Sequence, residues 1–385
     1  MNSLRNEIKF LFSGMGMPYE KVCLVVAIFI TVVITVCLRN NMARDVPVAV
    51  IDMDHSRYSQ EVIEKIDSTP YMDVSSVVYT QIDPKEFLAQ DKNYAVIVLP
   101  KNLEQKRYGG DECNIGLFCD NTNTALDANI RSSLNEIVAT ENSQAATASG
   151  GACGNLSLVE RLLFNPAGSA SNTIVQGFLL NFSAMFFCLA VIGLVPRLKE
   201  TGEWYKILQK GNPMDLFIKL VPYMGCLLVA IFVGMAILRI WGDMVFAGSI
   251  FEYFISQLLF LPSLGVVSVL SGWGAANPAV ASSRMIFVVP LGFVFGGATF
   301  PISLYPDWML ALSHIFPLTW EFNFTRDIVV RGVSLLQMPE VVGSYLLYLG
   351  ITLVVFYVRF IRSSIRMRRI RIIKARRKKR WKEAA

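Results

Sequence analysis

The sequence predicts an α-helical polytopic membrane protein: six transmembrane helices with an α/β domain inserted between the first two. Composition is the first observation behind this. Hydrophobic residues make up 53% of the 385 residues and charged residues only 17%, against about 25% in an ordinary soluble domain. Second, the apolar residues gather into six long stretches that contain no Asp, Glu, Lys or Arg. Third, the first two stretches are separated by a long polar segment that alternates strand-like and helix-like patterns.

The same composition argues against disorder, collagen, a coiled coil and a disulfide-dense secreted scaffold. No Gly precedes a Lys anywhere, so the phosphate-cradling GxxxxGK[ST] loop is absent and ATP is not bound by that route.

A hydrocarbon core about 30 Å thick needs about 20 apolar helical residues. The stretches are Val22–Leu38, Ile174–Val195, Leu220–Leu238, Tyr253–Ser271, Met285–Leu304 and Val341–Val358. The first is short, but Lys21 and Arg39 flank it, which suits a span better than a core helix. A long segment precedes it and no A-x-A-like site follows it, so it reads as an uncleaved signal anchor.

Charge sets the expected orientation. From Arg359 to the end there are 13 Lys/Arg and one acid, whereas Arg39–Ser171 holds 11 basic and 18 acidic residues. The positive-inside rule puts the basic tail in the cytoplasm, and six spans then put the N-terminus there too. Directly after an apolar span, such a basic run fixes topology and touches anionic lipid heads. No recognition module accompanies it, so nucleic acid is not an expected partner. The expected organisation is an N-terminal segment 1–21, a span 22–38, an extracytoplasmic α/β domain 39–172, further spans over 173–358 and a basic tail 359–385. Within the spans lie a cytoplasmic loop 196–213 and an external hairpin 305–340.

In the polar segment, Val46–Ile51 is a continuous apolar, β-branched run and reads as a strand. Asp52–Ser56 is a turn with a helix cap, and Tyr58, Val62 and Ile66 recur at helical spacing over Arg57–Ile66. Strands are expected at Met72–Tyr79, Tyr94–Leu99 and Glu112–Cys119. Helices are expected at Pro84–Gln90 and Leu126–Ser149, the latter with Ile130, Leu134, Ile137 and Val138 on one side. This alternation suits helices packed on a small sheet. Asp52, Asp54 and His55 could ligate a metal, but the loop lacks the Gly and Glu of an EF-hand, and a turn with solvated acids is the plainer reading. No metal site is expected. Cys113 and Cys119, on one strand, read as pointing to opposite faces or lying too far apart to pair. With Cys153 they are expected as free thiols. Two histidines, no Ser/His/Asp spacing and no ionisable residue in the spans leave no catalytic residue and argue against a membrane enzyme or an ion-coupled transporter.

The loop after the second span is the most informative segment. Thr201-Gly202-Glu203 interrupts the helix, then Trp204, Ile207 and Leu208 recur at helical spacing with Lys206 and Lys210 opposite. Such a helix either lies in the headgroups or docks a soluble partner. The segment resembles the coupling-helix region of ATP-binding-cassette (ABC) transporter permeases of the type-2 export family, in the subclass with an extracytoplasmic domain between the first two spans. Glu200, Gly202, Glu203, Leu208 and Pro213 carry the likeness. Thr201 precedes Gly202, and Asn212 stands where those proteins have Thr. The opening Val50-Ile-Asp-Met-Asp-His-Ser-Arg-Tyr-Ser59 resembles the start of the family's extracytoplasmic domain. Asn172-Thr-Ile-Val-Gln-Gly177, Phe300-Pro301, His314–Trp320 and Arg326–Gly332 resemble its later motifs, in order along almost the whole chain.

The resemblance implies a permease subunit in a bacterial inner membrane. It pairs with a second copy, identical or not, and docks a cytoplasmic P-loop ATPase that binds ATP and Mg. This chain needs no cofactor of its own. Glu200, Thr201, Gly202, Glu203 and Trp204 are the expected ATPase contact. Gly177, Ser183, Gly292, Gly296 and Gly297 are expected in span packing, at a dimer contact or along the translocation path. The spacing of Gly292 and Gly296 equally suits plain packing within the chain. Trp308, Pro317, Trp320 and Arg326 mark a hairpin that is either a re-entrant gate or an aromatic belt anchor. Uncharged spans suit an amphiphilic or lipid-like cargo, and a drug, as in multidrug efflux, a lipid-linked sugar or a peptide fits equally. A periplasmic adaptor and membrane lipid are further expected partners. The competing expectation is a membrane receptor or scaffold whose external domain binds a partner.

Overall fold

The computed structural model describes residues 45–89, 93–122, 124–149, 153–165, 169–298 and 302–384. The expected segment 1–21 and first span, 22–38, lie outside these.

The α/β domain is built on a five-stranded sheet in the order β2-β1-β3-β4-β5. Its strands are β1 Val46–Asp52, β2 Met72–Val78, β3 Ala95–Leu99, β4 Cys113–Asp120 and β5 Leu156–Leu163. β1 runs parallel to β2 and β3, β3 pairs antiparallel with β4, and β4 runs parallel to β5. The helices are α1 Arg57–Asp67, α2 Pro84–Ala89, α3 Leu103–Gly109 and α4 Thr124–Ser149. A strand without polar alternation belongs in the middle of a sheet covered on both faces. β1 fits: Val48 and Val50 on one face and Ala49 and Ile51 on the other are all buried. The helical stripe Tyr58, Val62 and Ile66 is buried as its spacing predicts.

Two elements were not expected, α3 and β5. Both depend on long-range partners. Asp54 caps α3 by accepting from the Leu103 and Glu104 N–H groups at 2.8 and 3.0 Å. Asp52 Oδ1 accepts from the Asp54 and His55 N–H groups and its Oδ2 from Ser59. These carboxylates therefore act as acceptors for a turn and for helix ends. Strand β5 carries Glu160 and Arg161 at the sheet edge, which hides its alternation.

The two strand cysteines lie far apart, as one of the two expected alternatives has it, but not on opposite faces. Side chains alternate with period two along a strand, so an even separation returns to the same face. Cys113 and Cys119 both lie on the buried face of β4. The strand's rise holds them roughly 20 Å apart, beyond disulfide reach, and both are free. Burial pushes both thiols up from their ordinary values.

After the domain, the chain enters a bundle. A π-helical turn, Ser171–Val175, leads into α5 Gln176–Ile192, then α6 Leu194–Glu200, α7 Glu203–Lys210, α8 Met214–Ile218, α9 Val221–Trp241 and α10 Ile250–Gly272. Next come α11 Pro278–Ser282, a 3-10 turn Ser283–Phe287, α12 Val289–Phe295 and a 3-10 turn Ile302–Leu304. The chain continues through α13 Asp307–Ser313, α14 Pro317–Phe324, a π-helical turn Thr325–Arg331 and a 3-10 turn Leu335–Gln337. It closes with α15 Pro339–Ala384. Among the described residues, five helical stretches are long and apolar enough to cross a membrane: Ser171–Glu200, Met214–Trp241, Ile250–Gly272, Pro278–Phe295 and Pro339–Arg369.

The fifth apolar stretch of the sequence, Met285–Leu304, is not one helix. Its helical part begins earlier, at Pro278, and stops at Phe295. The chain turns at Gly297, whose φ of +79° is open to Gly and strained for other residues. Hydropathy alone cannot register that break. The basic tail also gains structure, since α15 is a single helix of 46 residues through Ala384.

Candidate functional site

Two regions gather the residues singled out by the sequence. The first is α7. Both its ends are glycines in the left-handed region, Gly202 and Gly211, each with φ +74°. Gly211 closes the helix by donating its N–H to the Ile207 carbonyl at 3.2 Å. The amphipathic spacing puts Trp204, Ile207 and Leu208 on one face, and that face is buried. Trp204 meets the edge of Trp273, at the end of α10, with ring centroids 5.3 Å apart, and Phe360 of α15 at 6.3 Å. Further bonds brace the joint. Ser364 donates to the Leu208 carbonyl at 3.1 Å, Lys199 to the Trp273 carbonyl at 2.8 Å, and the Trp273 indole to Ser363 at 3.1 Å.

The opposite side of this segment faces outward: Glu200, Thr201, Glu203, Tyr205 and Lys206 are exposed and Gly202 is half-buried. Glu203 pairs with Lys219 at 3.0 Å, and that hydrogen bond holds its carboxyl below the usual range. Trp204 thus departs from its expected place on the contact surface. At 5% exposure it lies beneath the helix, because a tryptophan at the apolar position of a short amphipathic helix gains more from the core than from water.

The second region is the hairpin. Its first helix, α13, carries Trp308 on the outside at 53% exposure. Its second, α14, starts with Pro317 at the first helical position and is buried over most of its length. Trp320 stacks on Tyr345 of α15, 5.2 Å between centroids and 6° between planes, and its indole donates to the His314 carbonyl at 3.2 Å. Arg326 donates to the Gly297 carbonyl at 2.6 Å, tying the hairpin to the turn after α12.

The small residues of α12 serve this same packing. A Cβ on Gly292 would sit 3.2 Å from Leu318, and one on Gly296 would collide with the Gly292 carbonyl oxygen and sit 3.0 Å from the Phe322 ring. The pair therefore makes room for α14 of its own chain. Gly177 faces Ala298 with ordinary van der Waals space, and Ser183 is half-buried on α5. Asn172 pins the start of α5 by bonding both the N–H and the carbonyl of Val245, at 2.9 and 3.1 Å.

Sequence reasoning missed Arg331 and Glu321, two buried charges of the hairpin. Arg331 is fully buried and donates to Asp120 of β4 at 3.1 and 2.5 Å and to Asp327 at 2.7 Å. Asp120 and Arg331 are 211 positions apart, so no local pattern could have paired them. Tyr94 and Ser303 add a second contact between domain and hairpin. Glu321 is also fully buried, its Oε1 accepting from Gln257 at 2.5 Å and Thr325 at 3.0 Å, with the Tyr253 hydroxyl at 3.4 Å. Among the described residues no group of three or more His, Cys, Asp or Glu is arranged to hold a metal.

Apolar helices of spanning length, joined to a small α/β domain, define a multi-pass membrane protein with an extramembrane domain. The chain belongs to the ABC-2 transporter family: residues 22–362 match that family's model, described as ABC-2 family transporter protein. It is therefore a membrane permease of an ABC transporter. Among solved structures, a domain assigned to an ABC type-2 transporter of Thermotoga maritima MSB8 is similar over 30% of this chain and 84% of its own, at 15% identity and a TM-score of 0.26. No curated protein shows significant similarity to the chain.

Proposed function

We propose that this permease is the membrane subunit of an exporter in a bacterial inner membrane, with both termini cytoplasmic. It moves an amphiphilic, drug-like or lipid-like cargo outward on ATP hydrolysed in a separate subunit that binds ATP and Mg. Two permease copies pair, and the α/β domain is the surface for a periplasmic adaptor.

The observation that carries this reading is the construction of α7: bounded by a left-handed glycine at each end and closed by the Gly211 N–H, with its apolar face packed on two long helices and its polar face open. Glu200, Thr201, Gly202 and Glu203 then meet the ATPase, joined by Tyr205 and Lys206, while Trp204 fixes the helix from beneath. A push on α7 bears on Trp273 and Phe360. Toward the other ends of the same two helices, Tyr253 and Tyr345 pack under the hairpin. The movement is therefore carried along α10 and α15 to the gate without any backbone having to unfold.

The test is capture of the ATPase from the source membrane with detergent-extracted chain. The wild type should bring down a P-loop ATPase in stoichiometric amount. The Glu200→Ala/Tyr205→Ala variant should lose it while eluting unchanged in gel filtration. Clean recovery of the wild-type chain without an ATPase would instead favour a receptor or scaffold.

A further inference from the structure

Glu321 is the one carboxyl of α14, and its surroundings do not satisfy it. It is fully buried, and among the described residues no Lys or Arg pairs with it. Its Oε2 has no hydrogen-bond partner, and neither does Oε1 of Gln257, the side chain that donates to its other oxygen. Both orphaned atoms are acceptors. What the pair lacks is a donor, and a carboxyl buried without a cation carries a proton or recruits a positive charge. Exchanging the Gln257 amide atoms would not help, because it would set carbonyl oxygen against carboxylate.

The walls of this site are aromatic. Tyr253 reaches Glu321 with its hydroxyl, Trp320 and Phe324 stack on Tyr345, and Tyr345 bonds Ser263 at 3.1 Å. A buried acid in aromatic surroundings is the chemistry that holds an alkylated or aryl cation, which gains from ring quadrupoles as well as from the carboxylate. The segment also carries an irregular turn. Helix α14 begins at Pro317 and runs into a π-helical turn that ends at Gly332, φ +70°. Such turns interrupt the regular ladder and recur at functional sites.

We propose that Glu321, with Tyr253 and Gln257, is the recognition site for the cationic head of the cargo, a lipophilic ammonium- or phosphonium-type cation. In the closed hairpin Glu321 is covered by α10 and α15. Displacement of α14 uncovers it, and the cation takes the place of the proton. This deepens the exporter reading and rests on it for the direction of movement, but the binding step can be measured on the purified chain alone.

The experiment uses the full chain in detergent with two probes, tetraphenylphosphonium and neutral triphenylphosphine oxide. Glu321→Gln keeps the size and the acceptor toward Gln257 but removes the charge. It should weaken the cation about tenfold or more, the effect of about 1.4 kcal/mol, and leave the neutral probe within about twofold, the scatter of a site with unchanged apolar contacts. A second measurement needs no variant. Dicyclohexylcarbodiimide should label Glu321 in the wild type, and saturating tetraphenylphosphonium should protect it, as read by peptide mass. Equal cation affinity in wild type and variant, no cation binding by the wild type, or labelling that is absent or unprotected would each overturn the proposal. Failure of ATPase capture with intact cation binding would count against the exporter reading alone.

Discussion

Helix α7 and the hairpin lean on the same two long helices, and they use them in opposite ways. Helix α7 rests Trp204 on Trp273 and Phe360, buries Ile207 and Leu208 beside it, and leaves Glu203 and Lys206 exposed. Helix α14 rests its aromatics on Tyr345 and takes charge inside: Glu321 within the helix, and Arg331 with its aspartates just beyond it. Charge outside on an apolar footing suits a surface that meets another protein and lets go. A buried pair such as Arg331 with Asp120 suits a fixed joint between domain and hairpin, because breaking it is costly.

The sharpest way to break this contrast is Arg331→Ala. It strands two aspartates in the interior and should cost about 3–5 kcal/mol, seen as a large fall in the thermal unfolding midpoint and early proteolysis between the α/β domain and the hairpin. Trp204→Ala comes next. It empties the footing of α7 and should cost about 3 kcal/mol, whereas Trp204→Phe should keep most of the stability and most of the ATPase capture. If Trp204→Ala left stability untouched but abolished capture, Trp204 would belong on the contact surface after all. Glycines sharpen the comparison at a smaller scale. Gly202 and Gly332 both have positive φ, but a Cβ on Gly202 meets open space while one on Gly332 lies 3.2 Å from Ala247. Alanine should cost about 1 kcal/mol at Gly202, the left-handed penalty alone, and measurably more at Gly332 in the same urea titration. The smallest effect is expected at the exposed Glu203–Lys219 pair. Lys219→Ala should leave the unfolding midpoint in place, with any difference vanishing in high salt.

What the sequence made legible was what local pattern encodes. The β-branched run Val46–Ile51, the stripe Tyr58–Val62–Ile66 and the glycine break at Gly202 needed only neighbours within a few positions. The amphipathic spacing of Trp204, Ile207 and Leu208 was also visible, but whether its apolar face would meet core or partner was not, since that depends on Trp273 and Phe360. The span expected at Met285–Leu304 shows hydropathy misleading where a turn is itself apolar. Strand β5 hid behind Glu160 and Arg161 at an edge. The pairing of Arg331 with Asp120, and the isolation of Glu321, exist only once distant segments meet, and no motif announces them.

The last helix has a mechanical consequence. At about 1.5 Å per residue, the 46 residues of α15 make a rod of about 69 Å, more than twice the roughly 30 Å of a bilayer's hydrocarbon. A rod held near one end by Tyr345 and gripped part-way by α7 at Phe360 and Ser364 has the geometry of a lever with its fulcrum at α7. A tilt too small to disturb the packing around Tyr345 sweeps the basic far end through a much longer arc. Whatever holds that end sets how easily the lever swings.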